Sequence, residues 1–287
     1  MRHTILGLGI LCVALFANAG TPVEYRYLDG LAAPKRWSPA ECETALSAYK
    51  VWDHPSVRMH IPVDFAAGEK QYPIGWPRMY LNLQPDEQGW QDYDRFEFQL
   101  FTETSRTNLP KRPLIFHLYD AQGKTKLVTF DFAAIGAWKI FSINTSDLGL
   151  AGAVSRLGFN INEADYCDKD VVDFHVGGFR LTRATVAHVT ELKAAAPALF
   201  CDSRVLPVDL VVEGPPNKLA AGIPIQLRRD DRVAFAWAAA VTRGRQTVYL
   251  PLKDAKIEPG KYALVAHPDD PALRIATVVT VTSSPWQ

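Results

Sequence analysis

The chain has 287 residues, of which 48% are hydrophobic and 22% are charged, a balance typical of a soluble globular protein with one large or two modest domains. Its 31 basic and 31 acidic residues cancel, so the formal net charge is zero. Without a field of one sign, neither nucleic acid nor an anionic membrane surface is an expected partner.

The amino terminus has the features of a secretory signal peptide. Arg2 is followed by an apolar run over residues 5–16, and Ala17-Asn18-Ala19 fits the small-x-small rule for a cleavage site. A transmembrane anchor is the alternative, but this run is too short to span a bilayer. We therefore predict a signal peptide over residues 1–19, a secreted or periplasmic mature protein, and no membrane association after cleavage.

Export also makes a disulfide possible, because oxidising compartments preserve such bonds. Cys42, Cys167 and Cys201 remain after the leader is removed, so at most one internal bridge can form. Cys167 and Cys201 both fall at the end of the first domain as we divide the chain, which favours that pair. Three unpaired cysteines are the alternative.

The mature chain begins with residues whose apolar and polar side chains alternate with period 2, which predicts strands. One helix is predicted over residues 40–49, because Ser38 followed by Glu41 has the pattern of a capping box. Short strands with few helices indicate an all-β sandwich or barrel. The predicted strands of this part cover residues 24–28, 57–63, 78–83, 95–101, 114–119, 126–132, 138–143, 157–162 and 172–181.

The remainder of the chain is predicted to form a second, smaller domain. Residues 185–204 are predicted to be a connector that includes an alanine run. Beyond it, short Val-rich strands alternate with turns such as Gly214-Pro215-Pro216 and Pro259-Gly260. Their number and spacing suggest a small immunoglobulin-like sandwich over residues 205–287.

Residues 22–184 carry a series of features in a particular order. The series is Asp29-Gly30 near the first strand, Trp90 before the strand at 96–101, Trp138 before the strand through Ile143, the segment 159–163, and finally the segment 173–176. In this order the segment resembles the galactose-binding-like jelly-roll modules, many of which are carbohydrate-binding modules attached to polysaccharide-degrading enzymes. The resemblance implies a jelly-roll β-sandwich for residues 22–184.

The same resemblance raises the question of a structural calcium ion. Such modules often have an acidic ligand just after the hydrophobic triplet of the last strand, where this chain has Gly177-Gly178. Asp170 and Asp173 lie nearby, and Asp29 could approach from the first strand, so these three are the candidate ligands. Calcium needs six or more oxygen ligands, and the missing carboxylate weakens the case. No other cofactor is expected.

The resemblance also implies that the strands with Arg78, His117 and Asn160 lie side by side in one sheet. Their apolar residues then face the core, and their polar residues share the outer face. Aromatic rings with amide and imidazole partners suit the C–H faces and hydroxyls of a sugar. Trp76, in a turn-rich loop, is a further candidate, and the predicted ligand-binding residues of the face are Arg78, Tyr80, Asn82, His117, Tyr119, Asn160 and Asn162.

We therefore predict an exported, non-catalytic protein whose partner is a polysaccharide or oligosaccharide. A glycoside hydrolase is one alternative, and its two carboxylates would have to come from Glu97, Glu103 and Glu163. A jelly-roll polysaccharide lyase is a stronger one, because such enzymes use Arg, Tyr and His on a sheet face. A structural or adhesive surface protein is the third alternative.

Overall fold

The structure is a computed structural model that describes residues 22–67, 75–131, 133–149, 153–196, 198–230, 232–252 and 257–285. The predicted signal peptide over residues 1–19 lies outside this range. Within the described ranges, no helix is long and apolar enough to cross a membrane. The single α-helix among these residues is the short Pro216–Leu219.

The predicted all-β fold class is confirmed. The described strands are β1 (Val23–Tyr27), β2 (Ser38–Ala40), β3 (Glu43–Val51), β4 (His54–Pro62), β5 (Arg78–Asn82), β6 (Arg95–Thr104), β7 (Ile115–Asp120), β8 (Thr125–Thr129), β9 (Lys139–Asn144), β10 (Val154–Asn160), β11 (Val171–Ala184), β12 (His188–Ala194), β13 (Leu199–Phe200), β14 (Val205–Glu213), β15 (Ile223–Arg229), β16 (Arg232–Ala239), β17 (Gly244–Pro251), β18 (Gly260–Ala266) and β19 (Ile275–Thr282).

The first eleven strands form two antiparallel sheets. The first sheet has six strands in the order β3-β4-β11-β6-β9, with β1 also paired to β11, and the second sheet has five in the order β2-β5-β10-β7-β8. Consecutive strands repeatedly change sheet, as in a jelly roll. The apolar side of each sheet contributes to one hydrophobic cluster, so the two sheets pack face to face as a sandwich.

Aromatic rings fill the centre of this sandwich. Phe98 points inward from β6, and its ring centroid lies 4.7 Å from that of Phe141 and 5.3 Å from that of Phe116. Phe116 in turn stacks on Phe159 of β10 at 4.9 Å. Rings from both sheets therefore interlock, which fixes the side of each strand that faces the core and the side that faces outward.

The later strands form two further sheets around a separate hydrophobic cluster. One sheet has three strands in the order β12-β14-β17, and the other has five in the order β13-β19-β18-β15-β16. The short β13 pairs with β19 in parallel. Buried aliphatic residues such as Val208, Ile225 and Leu264 make up most of this cluster, in contrast to the phenylalanine-rich centre of the first.

A buried carboxylate links the two clusters. Asp94 lies just before β6, and its Oδ2 accepts a hydrogen bond of 2.8 Å from the N–H of Ala184 at the end of β11. Its Oδ1 accepts a bond of 3.1 Å from the N–H of Gly214 after β14. The same oxygen lies 3.9 Å from Nε of Arg243. One side chain thus ties the end of the first sandwich to two loops of the second half.

The helix predicted over residues 40–49 is wrong, because most of this segment is the strand β3. It pairs with β4 from Glu43 opposite His60 to Val51 opposite His54. The capping-box pattern was only a local signal, whereas β4 pairs with both ends of β3, on either side of an irregularity between Leu46 and Lys50. Glu41 has a φ of 56°, so the chain turns sharply there between β2 and β3.

The predicted connector over residues 185–204 contains the two strands β12 and β13. β12 pairs with β14 over residues 188–194, and Val189 and Leu192 are buried in the second cluster. Ala194, the first residue of the alanine run, is the last residue of β12. The division of the chain into domains at 184 and 205 remains a prediction, and β12 and β13 place strands of the later sheets before residue 205.

The predicted bridge between Cys167 and Cys201 is wrong, because no disulfide joins the described cysteines. Cys167 is exposed in the loop before β11, whereas Cys201 packs against the second hydrophobic cluster. The prediction assumed that residue 201 closes the first domain. The N–H of Cys201 instead binds the carbonyl of Thr282 in β19, which places this residue with the later sheets.

Candidate functional site

The outer side of the second sheet brings together most of the predicted site residues. In the register of β5, β10 and β7, Gly158 lies between Tyr80 and His117, and Arg156 lies between Asn82 and Tyr119. Arg78 and Ile115 flank Asn160 in the same way. We call this surface the tyrosine face and define it by Tyr80, His117, Tyr119, Arg156 and Asn160.

Two of the predicted contact residues form the floor of the face. His117 is 8% exposed and Asn160 is 3% exposed. Nε2 of His117 meets Oδ1 of Asn160, and Nδ2 of Asn160 donates to the carbonyl of Ile161 at 3.2 Å. Because the amide nitrogen is directed at a carbonyl, its oxygen faces the imidazole, so Nε2 carries the proton.

Burial lowers the pKa of His117, opposed by its hydrogen bond to Asn160, and the nearby Arg156 lowers it further. The imidazole is therefore neutral at pH 7. Its Nδ1 is then an acceptor, and the hydroxyl of Tyr119 lies 3.4 Å away. His117 and Asn160 support the tyrosine above them and contribute little surface to a ligand.

The two tyrosines form the accessible part of the face. Their ring centroids are 6.1 Å apart in an edge-to-face arrangement. The ring of Tyr80 lies directly over Gly158 of β10. A Cβ at position 158 would lie 2.3 Å from Cδ1 of Tyr80, so only glycine leaves room for the ring. Burial and the hydrogen bond with Tyr119 raise the pKa of Tyr80 to about 12, which keeps its hydroxyl protonated at pH 7.

Arg156 is a member of the face that the sequence analysis missed. Its guanidinium carbon lies 4.1 Å from the ring centroid of Tyr80 and 5.3 Å from that of Tyr119. These are cation–π contacts, which hold the guanidinium beside the two aromatic rings. The side chain is half-buried, and it brings a positive charge to the centre of the accessible surface.

The other predicted residues lie at the margins of the face or beyond it. Arg78 extends over the ring of Trp76 at 4.7 Å, and the ring is 39% exposed, so both lie at one end of the face. Asn82 is exposed at the end of β5. Asn162 is also exposed, but it follows β10 and precedes a short 3-10 turn, so the face does not include it.

The three carboxylates proposed as calcium ligands do not converge. Asp29 lies 2.7 Å from His54, Asp170 lies 2.5 Å from Arg106, and Asp173 lies 2.9 Å from His60. Each is thus engaged by a different side chain. Among the residues that the structure describes, no group of three His, Cys, Asp or Glu could hold a metal ion. The three candidate ligands therefore do not form a metal site in the described part of the chain.

The carboxylates considered for glycoside hydrolysis are also separated. Glu97 and Glu103 share the outer side of β6, but six residues of strand place their Cα atoms about 20 Å apart. Paired catalytic carboxyls lie about 5–9.5 Å apart. Glu97 binds Arg180, and the buried Glu163 accepts the N–H groups of Asp64 and Gly75. Glu97 and Glu103 are therefore too far apart to act as a catalytic pair, and the carboxylate of Glu163 accepts backbone N–H groups.

The outer side of the first sheet carries a hydrogen-bonded chain of polar residues. Oγ of Ser47 lies 2.8 Å from Nδ1 of His175, whose Nε2 lies 2.8 Å from Oε2 of Glu103. The Ser47 oxygen also accepts the N–H of Tyr49, and the His175 side chain is almost fully buried. These bonds fix the irregular middle of β3 against β11 and β6.

Comparison with known proteins yields structural neighbours only. No protein-family model matches the chain, and no curated protein matches it. For an exo-β-agarase structure, the match covers 55% of this chain and 24% of the agarase chain, at 8% identity and a TM-score of 0.37. For a β-1,2-glucanase from Parabacteroides distasonis, the match covers 91% of this chain and 37% of the glucanase chain, at 14% identity and a TM-score of 0.38.

A third neighbour is a carbohydrate-binding module, CBM28, described as specific for non-crystalline cellulose. The match covers 51% of this chain and 87% of the module, at 14% identity and a TM-score of 0.33. The chain spans well under half the length of the two enzymes. At these identities and TM-scores, none of the three neighbours bears on what this chain binds.

Proposed function

We propose that the mature protein is exported and binds a polysaccharide through the tyrosine face without cleaving it. The observation that carries the proposal is the convergence of Tyr80, Tyr119 and Arg156 on the outer side of one sheet. The buried pair of His117 and Asn160 supports them from below. The surface is thus pre-organised, which reduces the entropy lost when a ligand binds.

The chemistry of the face suits a sugar. Pyranose rings present C–H groups that pack on aromatic surfaces, and their hydroxyls need hydrogen-bond partners. The hydroxyls of Tyr80 and Tyr119 can donate and accept, and the exposed amide of Asn82 can do both. Because the chain has no net charge to attract a ligand from a distance, affinity must come from these short-range contacts.

A polysaccharide lyase is the second candidate, because Arg78, Tyr80, His117 and Tyr119 do share one face. A lyase needs a base that can reach the substrate. Tyr80 is protonated at neutral pH, since its pKa is raised to about 12. The free nitrogen of His117 is covered by Tyr119. Both observations favour binding over elimination.

The predicted signal peptide and second domain would serve this binding role. The signal peptide over residues 1–19 would deliver the protein to the outside of the cell or the periplasm. The later sheets would form the immunoglobulin-like domain predicted over 205–287, with β12 and β13 as additional strands before it. This domain would position the binding face and need not contact glycan.

Affinity electrophoresis of the mature protein in gels with different polysaccharides would test the proposal. We expect retardation in at least one gel, and we expect Tyr119→Ala to weaken binding by about 1–3 kcal/mol, by analogy with stacking of bases on aromatic rings. Tyr249→Ala is the matched control, because this tyrosine is 71% exposed on β17 and far along the chain from the face.

Three results would contradict the proposal. Equal retardation of the wild type and Tyr119→Ala would remove the tyrosine face as the site. Release of unsaturated, ultraviolet-absorbing product would indicate a lyase. Absence of both binding and product across the panel would favour a structural or adhesive role. Equal melting temperatures for the wild type and both variants are needed to exclude loss of folding as the cause.

A further inference from the structure

The guanidinium of Arg156 contacts two tyrosine rings but no acceptor. Its guanidinium makes the cation–π contacts at 4.1 and 5.3 Å, and none of its N–H groups donates to an oxygen of the residues that the structure describes. The Arg156 nitrogens are not among the buried atoms that lack a partner, so they are accessible to water and to a ligand. The tyrosines therefore hold a planar, charged fork in place with its hydrogen-bonding capacity unused.

Other half-buried arginines of this chain are used differently. Arg36 lies 2.7 Å from Glu87, Arg106 lies 2.5 Å from Asp170, and Arg180 lies 2.8 Å from Glu97. Arg180 also stacks on aromatic rings, at 3.6 Å from Trp52, and still has its carboxylate. Stacking on aromatic rings thus does not explain why Arg156 lacks an anionic partner.

No carboxylate shares the outward strand positions around Arg156. The outward positions of β2, β5, β10, β7 and β8, all within the described ranges, hold no Asp or Glu. A second arginine, Arg78, lies on the neighbouring strand opposite Asn160, four residues along β10 from Arg156. Strand geometry puts the two positions about 14 Å apart. The face therefore has positive charge at two points along the strand direction.

We propose that the tyrosine face selects an acidic glycan, and that Arg156 binds an anionic group of the sugar chain, a uronate carboxylate or a sulfate ester. A guanidinium donates two parallel hydrogen bonds to a planar carboxylate, which gives both affinity and orientation. The tyrosines pack against the sugar ring while Arg156 binds its anionic group. This inference rests on the proposed function and narrows its ligand to one chemical class.

The test compares matched ligands by isothermal titration. Oligogalacturonate supplies carboxylates, its carboxyl-reduced form supplies the same backbone without charge, and a sulfated galactan oligosaccharide supplies sulfate esters. We expect the wild type to prefer one acidic ligand over the neutral form by at least about tenfold, with affinity that falls as salt is added. Which acidic ligand is preferred distinguishes carboxylate from sulfate.

Variants at position 156 assign the preference to this residue. We expect Arg156→Gln to lower affinity for the acidic ligand by about 10- to 100-fold and to change affinity for the neutral form by less than about threefold. Arg156→Lys retains the charge without the planar fork, so it should recover only part of the loss. Arg232→Gln, at an exposed position on β16, is the matched control.

The outcomes separate the two proposals. If Tyr119→Ala weakens binding of the neutral form and the wild type shows no acidic preference, the face binds glycan but the inference about Arg156 is wrong. Equal losses for acidic and neutral ligands in Arg156→Gln would also overturn it. If no ligand in the wider polysaccharide panel binds, or if Tyr119→Ala changes nothing, both proposals fail.

Discussion

Replacing Asp94 with alanine is expected to lower the free energy of unfolding by about 3–5 kcal/mol, because it removes a buried carboxylate from its partners. The N–H groups of Ala184 and Gly214 would lose their acceptor, and Arg243 would keep its charge with no carboxylate beside it. Nη1 of Arg243 already has no hydrogen-bond partner among the described residues, so the region has little capacity to compensate.

Urea unfolding followed by tryptophan fluorescence would measure this loss. Asp92→Ala is the matched control, since this carboxylate is exposed two residues earlier in the chain and its removal should change stability by no more than about 0.5 kcal/mol. We also expect the unfolding transition of Asp94→Ala to broaden or divide, because Asp94 connects two hydrophobic clusters. A loss no larger than that of Asp92→Ala would contradict the role assigned to Asp94.

The second large effect is expected for Phe98→Ala, which should cost about 3–5 kcal/mol of stability. The Phe98 side chain is fully buried, and its ring contacts other rings from both sheets. Its neighbours at centroid distances of 4.7 to 5.8 Å are Phe96, Phe116, Phe130, Phe141, Phe159 and Phe179. Such an interlocked set cannot close around the missing ring without moving strands of both sheets.

The same urea experiment applies, with Phe200→Ala as the control. Phe200 lies on the short strand β13 and is 44% exposed, so its truncation should leave stability nearly unchanged. The loss in Phe98→Ala should also reduce glycan binding indirectly, because the inner side of β7 and β10 packs on this ring. Equal stability of the two variants would mean that the first sandwich is not held together by its aromatic centre.

The strands with one buried side could be predicted from the sequence. Residues of β6 alternate strictly between buried and half-exposed positions from Arg95 to Thr102, and this produces the period-2 pattern in the sequence. The edge strand β3 has no such pattern, since most of its residues are at least half-exposed. Nothing in its own residues opposed the capping-box signal, and only the pairing with β4 determines its conformation.

The composition of the tyrosine face was only partly predictable. Arg156 was missed because the register shifts between Val154 and Arg156, so the alternation that identifies β10 begins only at Leu157. The depth of His117 and Asn160 was missed for another reason. Alternation predicts which side of a sheet a residue occupies, but not how far neighbouring side chains bury it. Tyr80 can cover this part of the face because its neighbour on β10, Gly158, has no side chain.

The most direct test of the account is a crystal structure of the mature protein with the oligosaccharide that binds it best. We expect sugar rings against Tyr80 and Tyr119, an anionic group at the guanidinium of Arg156, and intact glycosidic bonds. Sugar bound at another place, such as the cluster of Tyr49, Phe101 and Trp138 on the outer side of the first sheet, would contradict the assignment of the face. A cleaved ligand would contradict the non-catalytic role.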